Sequence, residues 1–305
     1  MDVPALPDEF TARPLTAEDA EAVTTLVGDC EAFDDGAREI DLGDIVALWN
    51  RPGVDLATAS IGVFKDGALA AAGDVFNGRA EVEVHPDRRG RGIGSALLPW
   101  TWSVARQQGA ERVSQIVTNN RRDAAELFRR HGYTDRWTSW ILSVDIEKPP
   151  TPALPAGYDF RDLDYPSDAR EVYDVIETAF SEWPDRKGEP FEVWDGFLGS
   201  HQALAPWASP LIVRGGHTVG VAVSFDYTDN DEGWIHHLAV DKAHRGKGLG
   251  RALLEETFRR FHTRGRSKCG LATDSRTGAL TLYEHVGMRM RNSYTHWAKD
   301  LTKAD

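Results

Sequence analysis

A glycine-rich phrase occurs twice in the chain, about half its length apart. The two stretches are HPDRRGRGIGSALL at 85–98 and KAHRGKGLGRALL at 242–254. Each copy has an arginine, three glycines at alternate positions and the triplet Ala-Leu-Leu, so a basic turn leads directly into an apolar helix pattern. Because 305 residues suffice for two hydrophobic cores, the repeat predicts two similar domains in one chain.

The two halves meet in a proline-rich stretch. EKPPTPALPAGYDF, at 147–160, contains four prolines, and proline breaks both helices and central strands. The sequence therefore predicts an N-terminal domain over 1–147, a linker over 148–157 and a C-terminal domain over 158–305.

Both halves repeat one order of elements. An acidic helix precedes a strand pair with a Gly-containing turn, then a third strand, the repeated turn with its helix, a fourth strand, a short helix and a closing strand. This order predicts a mixed α/β fold in each half. The stretches before the turn are TAEDAEAVTTLV, SIGVFKDGALAAAGDVF and AEVEV in the first half, and DAREVYDVIETAF, PLIVRGGHTVGVAVSFDY and WIHHLAV in the second.

Composition narrows the class of protein. A formal charge of −13 argues against nucleic acid as the main partner, because binding the phosphate backbone needs a basic face. No apolar run approaches the roughly 20 residues of a membrane helix, and the acidic N-terminus lacks a signal pattern, so we expect a cytoplasmic protein. Cys30 and Cys269 lie in different halves without metal-like spacing, which predicts no metal and no disulfide framework.

The repeated turn has the chemistry of a phosphate site. Unpaired N–H groups at a helix N-terminus attract anions, and glycines let the main chain approach them closely. The alternative is a tight turn whose cations are simply solvated. Two other phosphate motifs fit worse, since a dinucleotide fingerprint needs glycine at Leu97 or Leu253 and a P-loop needs Ser or Thr at Gly248.

RRGRGIGSALL and HRGKGLGRALL resemble the acetyl-CoA signature of the GNAT acyltransferase superfamily, and ALTLYEHVGM resembles its second motif. The resemblance covers both halves and implies two tandem GNAT domains, each a mixed, mostly antiparallel splayed sheet flanked by helices. It also implies acetyl-CoA, or another short acyl-CoA, as cofactor, with turn amides on the pyrophosphate and a strand edge on the pantetheine arm. The residues so assigned are Leu238, Ala239, Val240, Arg245, Gly246, Lys247, Gly248, Leu249, Gly250 and Arg251 in the second half, and Val82, Glu83, Val84, Arg89, Gly90, Arg91, Gly92, Ile93, Gly94 and Ser95 in the first.

The second motif distinguishes the halves. The family's tyrosine that protonates the departing thiolate corresponds to Tyr283, whereas the first half has Phe128 there. This predicts a catalytic C-terminal domain and a non-catalytic N-terminal one. Strand alternation would send His236 and His237 to opposite faces, so at most one of them can point at the site, and we favour His237 as the base. Glu232 and a water chain stay open as alternatives.

Two further features concern the acceptor side. Five aromatic residues early in the second half could line a pocket, with Glu182 and Asp185 attracting an ammonium, although packing in a core or lid is the favoured interpretation. The second motif departs from the family at Arg276, where an asparagine is common, and this leaves the pantetheine contact open. The aromatic residues are Phe180, Trp183, Phe191, Trp194 and Trp207.

These observations predict an acetyl-CoA-dependent N-acetyltransferase that acts by direct transfer on a primary amine of a small molecule. A ping-pong route through Cys269 is disfavoured because that residue lacks an evident base. We expect a monomer with an internal pseudo-dimer. The tandem layout also resembles mycothiol synthase, which implies a cysteinyl pseudo-disaccharide as acceptor, and a non-catalytic acyl-CoA sensor or scaffold is the alternative from another class.

Overall fold

The chain forms two compact units. One comprises Met1–Thr138 with Tyr294–Asp305, and the other Ser139–Ser293. Each unit is mixed α/β with a mostly antiparallel sheet, which confirms the predicted fold class. Among the described helices, none combines the length and the apolar character needed to cross a bilayer. The computed structural model describes residues 4–51, 53–149, 151–182, 188–228 and 231–302.

The first unit follows the predicted order of elements, with an additional first strand and two additional short helices. Strands β1–β4 pair antiparallel in sequence order, and β4 is parallel to β5 at Arg79 and Ser114. The elements are β1 Thr11–Arg13, α1 Ala20–Asp35, α2 Leu42–Trp49, α3 Leu56–Ala59, β2 Ser60–Lys65, β3 Ala68–Phe76, β4 Arg79–Val84, α4 Ile93–Gln107, β5 Arg112–Thr118, α5 Arg122–Arg130 and β6 Thr134–Asp145.

The second unit repeats this order. Strands β7–β10 pair antiparallel, and β10 is parallel to β11. The predicted apolar face of α8 is buried at Leu254, Phe258 and Phe261, and each such side chain contributes about 1.5–3 kcal/mol of stability. The elements are β7 Asp159–Asp162, α6 Ala169–Phe180, α7 Phe191–Ser200, β8 Pro210–Arg214, β9 His217–Tyr227, β10 Glu232–Val240, α8 Leu249–Thr263, β11 Lys268–Asp274, α9 Leu280–His285 and β12 Arg289–Asp300.

The predicted order gives each half of the sequence its own closing strand. In the structure, each closing strand instead pairs with a strand from the other half. Ser139–Asp145 of β6 pairs with β11 in the second unit, and Tyr294–Asp300 of β12 pairs with β5 in the first. The side chains follow the backbone: Leu142 is buried in the second core and Trp297 in the first. Sequence periodicity shows that a strand is present but does not specify its partner, and the buried side chains decide the pairing.

The two parallel strands of each unit separate along their length. In the second unit β10 pairs with β11 only from Glu232 to Ile235, although β10 continues to Val240. Past Ile235, β10 still pairs with β9, while β11 still pairs with β6. From residue 236 to residue 240, the main-chain edge of β10 on the side of β11 therefore makes no strand pairing with β11.

The exchanged strand gives a test of the fold. Trp297→Ala removes a buried ring that lies 5.8 Å from the Phe128 ring, and we expect a loss of about 3–5 kcal/mol from the cavity it leaves. Hydrogen exchange should increase in β5 and not in β11. Met290→Ala, at an exposed position of the same strand, is the control. Increased exchange confined to the second unit would contradict the observed pairing.

Candidate functional site

The second glycine turn has the geometry of an anion cradle. Gly246 and Gly248 have φ angles of 74° and 81°, a region that favours glycine. A Cβ placed on either residue would meet no atom within 4 Å among those described, so the space above the turn is open. Helix α8 begins at Leu249, and its first amides have no partner within the helix. The turn therefore fits a pyrophosphate bound by main-chain N–H groups.

Arg245, which directly precedes the first glycine of the second turn, holds that turn to its own unit. Arg245 Nε donates to the Val240 carbonyl at 2.9 Å, and its guanidinium donates to Glu182 at 2.6 Å. Lys242 lies 3.1 Å from the same carboxylate. These hydrogen bonds lower the pKa of Glu182. The sequence suggested that Glu182 attracts an ammonium group. Its negative charge is instead balanced by Arg245 and Lys242 beside the turn.

A β-bulge lies where β10 leaves β11. The register with β9 passes from Ile235 opposite Ser224 to His237 opposite Val223, so His236 is the extra residue. A bulge interrupts strand alternation. Both imidazoles consequently contact α7: the His236 ring lies 5.5 Å from Phe197, and the His237 ring 6.4 Å from Trp194. The expectation that the two histidines face opposite sides is wrong for this reason.

Burial makes His236 a neutral imidazole at physiological pH. Desolvation, with a smaller contribution from His201, lowers the pKa of His236 to about 4. The ring of His236 lies 4.3 Å from that of His237 and 4.7 Å from Phe225, on whose ring His201 stacks. Such a low pKa makes His236 a weak base, so the neutral ring serves to pack beside His237 and not to take up a proton itself.

The aromatic residues named from the sequence divide into two groups. Phe180 and Trp194 lie within 5.8 and 6.4 Å of the His237 ring, and Phe191 lies 6.4 Å from Trp194. Trp207 packs elsewhere, edge-on to Phe261 at 5.4 Å. Trp183 and Asp185 lie outside the described residues. The sequence analysis did not predict α7, the helix that carries Trp194, although Phe191, Trp194 and Leu198 recur at helical spacing.

Tyr283 is buried in α9, within the apolar cluster that also contains Ile235 of β10. Burial raises its pKa to about 12, against a smaller effect of the hydrogen bond to Thr273. The phenol therefore keeps its proton at any physiological pH and can donate it. In the first unit Phe128 takes this position and stacks on Tyr133 at 4.8 Å.

Other residues considered from the sequence have structural partners. Arg276 is bound to Asp274 at 2.6 Å, and Thr277 Oγ1 accepts from the Ala279 N–H at 3.1 Å just before α9. Glu232 is paired with Arg291 at 3.3 Å. Burial raises the pKa of the Cys269 thiol well above its usual range. The thiolate that a ping-pong route would need is thus disfavoured.

The corresponding region of the first unit is filled with charged side chains. Glu83 takes the position of Ala239, and burial raises its pKa to about 7 while Arg121 and Arg89 oppose that effect. Asp34, in α1, accepts from Arg89 at 2.6 Å and from Arg121 at 3.4 Å. Because Arg121 follows β5 and Arg89 follows β4, these ion pairs cross the separation between the two strands.

A second, shorter repeat escaped the sequence analysis. ALPDEFTAR at 5–13 matches ALPAGYDFR at 153–161, and both segments lie beside a glycine turn. In the first unit Glu9 lies 3.5 Å from Arg91, and a Cβ on Gly92 would lie 3.7 Å from Pro7. In the second, Tyr158 bonds His244 at 2.9 Å. The shared Ala-Leu-Pro was the signal that could have revealed it.

A cleft lies in the first unit between α2, α3 and strands β3 and β4. Asp74 and Glu81 face each other across these strands, and Trp49 and Phe76 are among the lining residues. Burial, followed by repulsion from Glu81, raises the pKa of Asp74 to about 7, although Arg79 and Arg51 oppose this effect.

Two family profiles match the chain. The Acetyltransferase (GNAT) family profile matches residues 169–288, and an Acetyltransferase (GNAT) domain profile matches residues 46–135. Among curated proteins, the mycothiol acetyltransferase of Thermobispora bispora is 27% identical over 232 residues, which is 72% of this chain and 74% of that protein. The mycothiol acetyltransferase of Nocardia farcinica is 27% identical over 293 residues, 90% and 91% of the two chains.

Two solved structures are similar to this chain. A GCN5-related N-acetyltransferase from Sphaerobacter thermophilus superposes with a TM-score of 0.84 and 29% identity, over 99% of this chain and 98% of that one. A tandem GNAT protein from the clavulanic acid biosynthesis pathway has a TM-score of 0.71 at 18% identity, over 97% and 100% of the two chains. The latter likeness bears on the fold alone.

The buried carboxyl of Asp74 makes stability depend on pH. Its pKa is raised above the ordinary value near 3.9, so its contribution is full below about pH 4 and is lost as pH rises through about 7. Asp74→Asn should therefore raise the melting temperature at pH 8 and change it little at pH 4. Asp66→Asn, in the exposed turn between β2 and β3, is the control. An equal effect of Asp74→Asn at both pH values would contradict the burial argument.

Proposed function

Since the chain belongs to the GNAT acetyltransferase family and carries two of its domains in tandem, we propose that its second unit transfers an acetyl group from acetyl-CoA directly to a primary amine of a small molecule. Acyl-CoA-dependent N-acetyl transfer is the activity of the family. The choice of acetyl-CoA, of the amine and of the second unit is our proposal. The observation that carries it is Tyr283, a buried, protonated phenol beside β10, with phenylalanine at the matching position of the first unit.

The residues present fit an acyl-CoA. When bound, the cofactor supplies an activated thioester. The amides from Gly246 to Arg251 would hold its pyrophosphate, and the free main-chain edge from Leu238 to Val240 would bind the pantetheine arm. Arg245 positions the turn through its bonds to Val240 and Glu182. The matching assignment for the first unit stays a prediction.

Two groups of the chain handle protons. The Tyr283 hydroxyl holds a proton that the departing thiolate requires. His237, beside the neutral His236, accepts the proton that the acceptor ammonium must lose. Tyr283 of α9 belongs to the apolar cluster that includes residues of α8, whereas His237 contacts α6 and α7. The two groups thus approach β10 from opposite faces, as a donor and an acceptor entering from different sides require.

A cysteinyl pseudo-disaccharide is the second candidate acceptor. The curated relatives named mycothiol acetyltransferases, which match 70–91% of the chain, favour it. A non-catalytic acyl-CoA sensor is the alternative from another class. Purified protein with acetyl-CoA and a panel of primary amines, including a cysteinyl amino sugar, separates these candidates by the mass of the acetylated amine, because a cysteinyl acceptor has a thiol of its own. If no amine raises the rate above background, the sensor is favoured.

Tyr283→Phe removes the proposed proton donor. We expect kcat to fall by about 10²-fold or more, the usual size of general acid catalysis, with the Kd for acetyl-CoA almost unchanged. Tyr133→Phe, which removes the buried phenol of the first unit, should leave kcat within about twofold. Unchanged turnover in Tyr283→Phe would remove the assignment.

The two turns can be tested against each other. Gly248→Ala forces a Cβ onto a φ of 81°, which strains the turn and should raise the KM for acetyl-CoA about tenfold. Gly92→Ala makes the same change at a φ of 86° in the first unit. We expect this variant to leave kcat and KM near the parent values. A raised KM for acetyl-CoA in Gly92→Ala, with parent values in Gly248→Ala, would place the reaction in the first unit.

A further inference from the structure

One buried donor beside the proposed acceptor site has no hydrogen-bond partner. Trp194 of α7 is 3% exposed, and among the residues that the structure describes its Nε1 meets no acceptor. A buried indole usually finds a partner for this N–H. Leaving it unpaired costs free energy that a bound molecule can recover.

The surroundings of Trp194 connect it with the reaction. Its ring lies 6.4 Å from the His237 ring and 5.5 Å from Tyr173. It belongs to the apolar cluster that includes Val223 and Ala239, and the main chain at Ala239 is part of the free edge of β10. An amine bound at His237 would therefore lie near the Trp194 ring.

We propose that Trp194 Nε1 donates a hydrogen bond to an oxygen of the acceptor, so that the acceptor is a primary amine with a carbonyl or hydroxyl oxygen close to its nitrogen. This inference rests on the proposed function. Amino acid amides and amino sugars have that chemistry, and plain alkylamines do not. A site built to bind an oxygen discriminates against analogues that lack it, because its buried donor is then left unpaired.

A matched control exists in the first unit. Trp100 of α4 is also 3% exposed with an unpaired Nε1 among the described residues. It packs in the apolar core, where a Cβ on Gly73 would lie 3.4 Å from its ring. Trp194→Phe and Trp100→Phe thus remove the same group from comparable burial, and only the first lies beside His237.

The kinetic test pairs acceptors that differ in the oxygen. One pair is L-alaninamide and isopropylamine, and the other is glucosamine and cyclohexylamine. Trp194→Phe should lower kcat/KM for an oxygen-bearing amine about tenfold and leave its partner within about twofold, while Trp100→Phe changes neither. The pair that responds distinguishes a carbonyl from a hydroxyl. Equal losses for both members, or no loss in either pair, would overturn the inference.

A measurement without turnover separates this inference from the proposed function. The full chain labelled with ¹⁵N at its indoles, in the presence of CoA, gives a Trp194 signal assigned by its absence in Trp194→Phe. Saturating L-alaninamide or glucosamine should move that signal downfield, and the matched alkylamines should not. A signal that stays in place with both oxygen-bearing amines overturns the hydrogen bond, whatever the acetylation assay gives.

Discussion

The separation of β10 from β11 is the constraint on which the candidate site depends. The ladder between them ends at Ile235 and Leu271, and the bulge at His236 follows at once. Past this point one edge of β10 can pair with a ligand instead of a strand. The same bulge turns His236 and His237 toward α7. One irregularity of the backbone thereby leaves the strand edge that we propose for the cofactor and places the imidazoles.

Both units have this separation between their two parallel strands, and they differ in the side chains that lie there. Each has the turn arginine on its own strand carbonyl, Arg89 on Val84 and Arg245 on Val240. In the first unit, however, Glu83 and the ion pairs of Asp34 occupy the region between the strands. Buried charges persist only where they are paired, and in this cluster Asp34 is paired with both Arg89 and Arg121. The contrast favours chemistry in the second unit.

Much of the site could be predicted because its signals are local. The glycines of the turn are set by backbone conformation, and Tyr283 by its place in the second motif. The roles of Glu182, Trp207 and the histidine pair could not be predicted, since they depend on contacts between distant segments. Glu182 meets Arg245, Trp207 meets Phe261, and strand alternation misplaced His236 because a bulge has no distinct sequence period.

The sequence alone determined the tandem architecture, the glycine turns and the tyrosine that distinguishes the halves, because these reside in short stretches whose spacing is fixed by the covalent chain. The tertiary structure alone decided which unit each closing strand completes, which carboxylate balances each turn and which aromatic rings surround His237. The physical reason is that strand pairing, ion pairing and burial are interactions between residues far apart in the chain, and many partners satisfy the same local pattern. Only the packed core selects one of them.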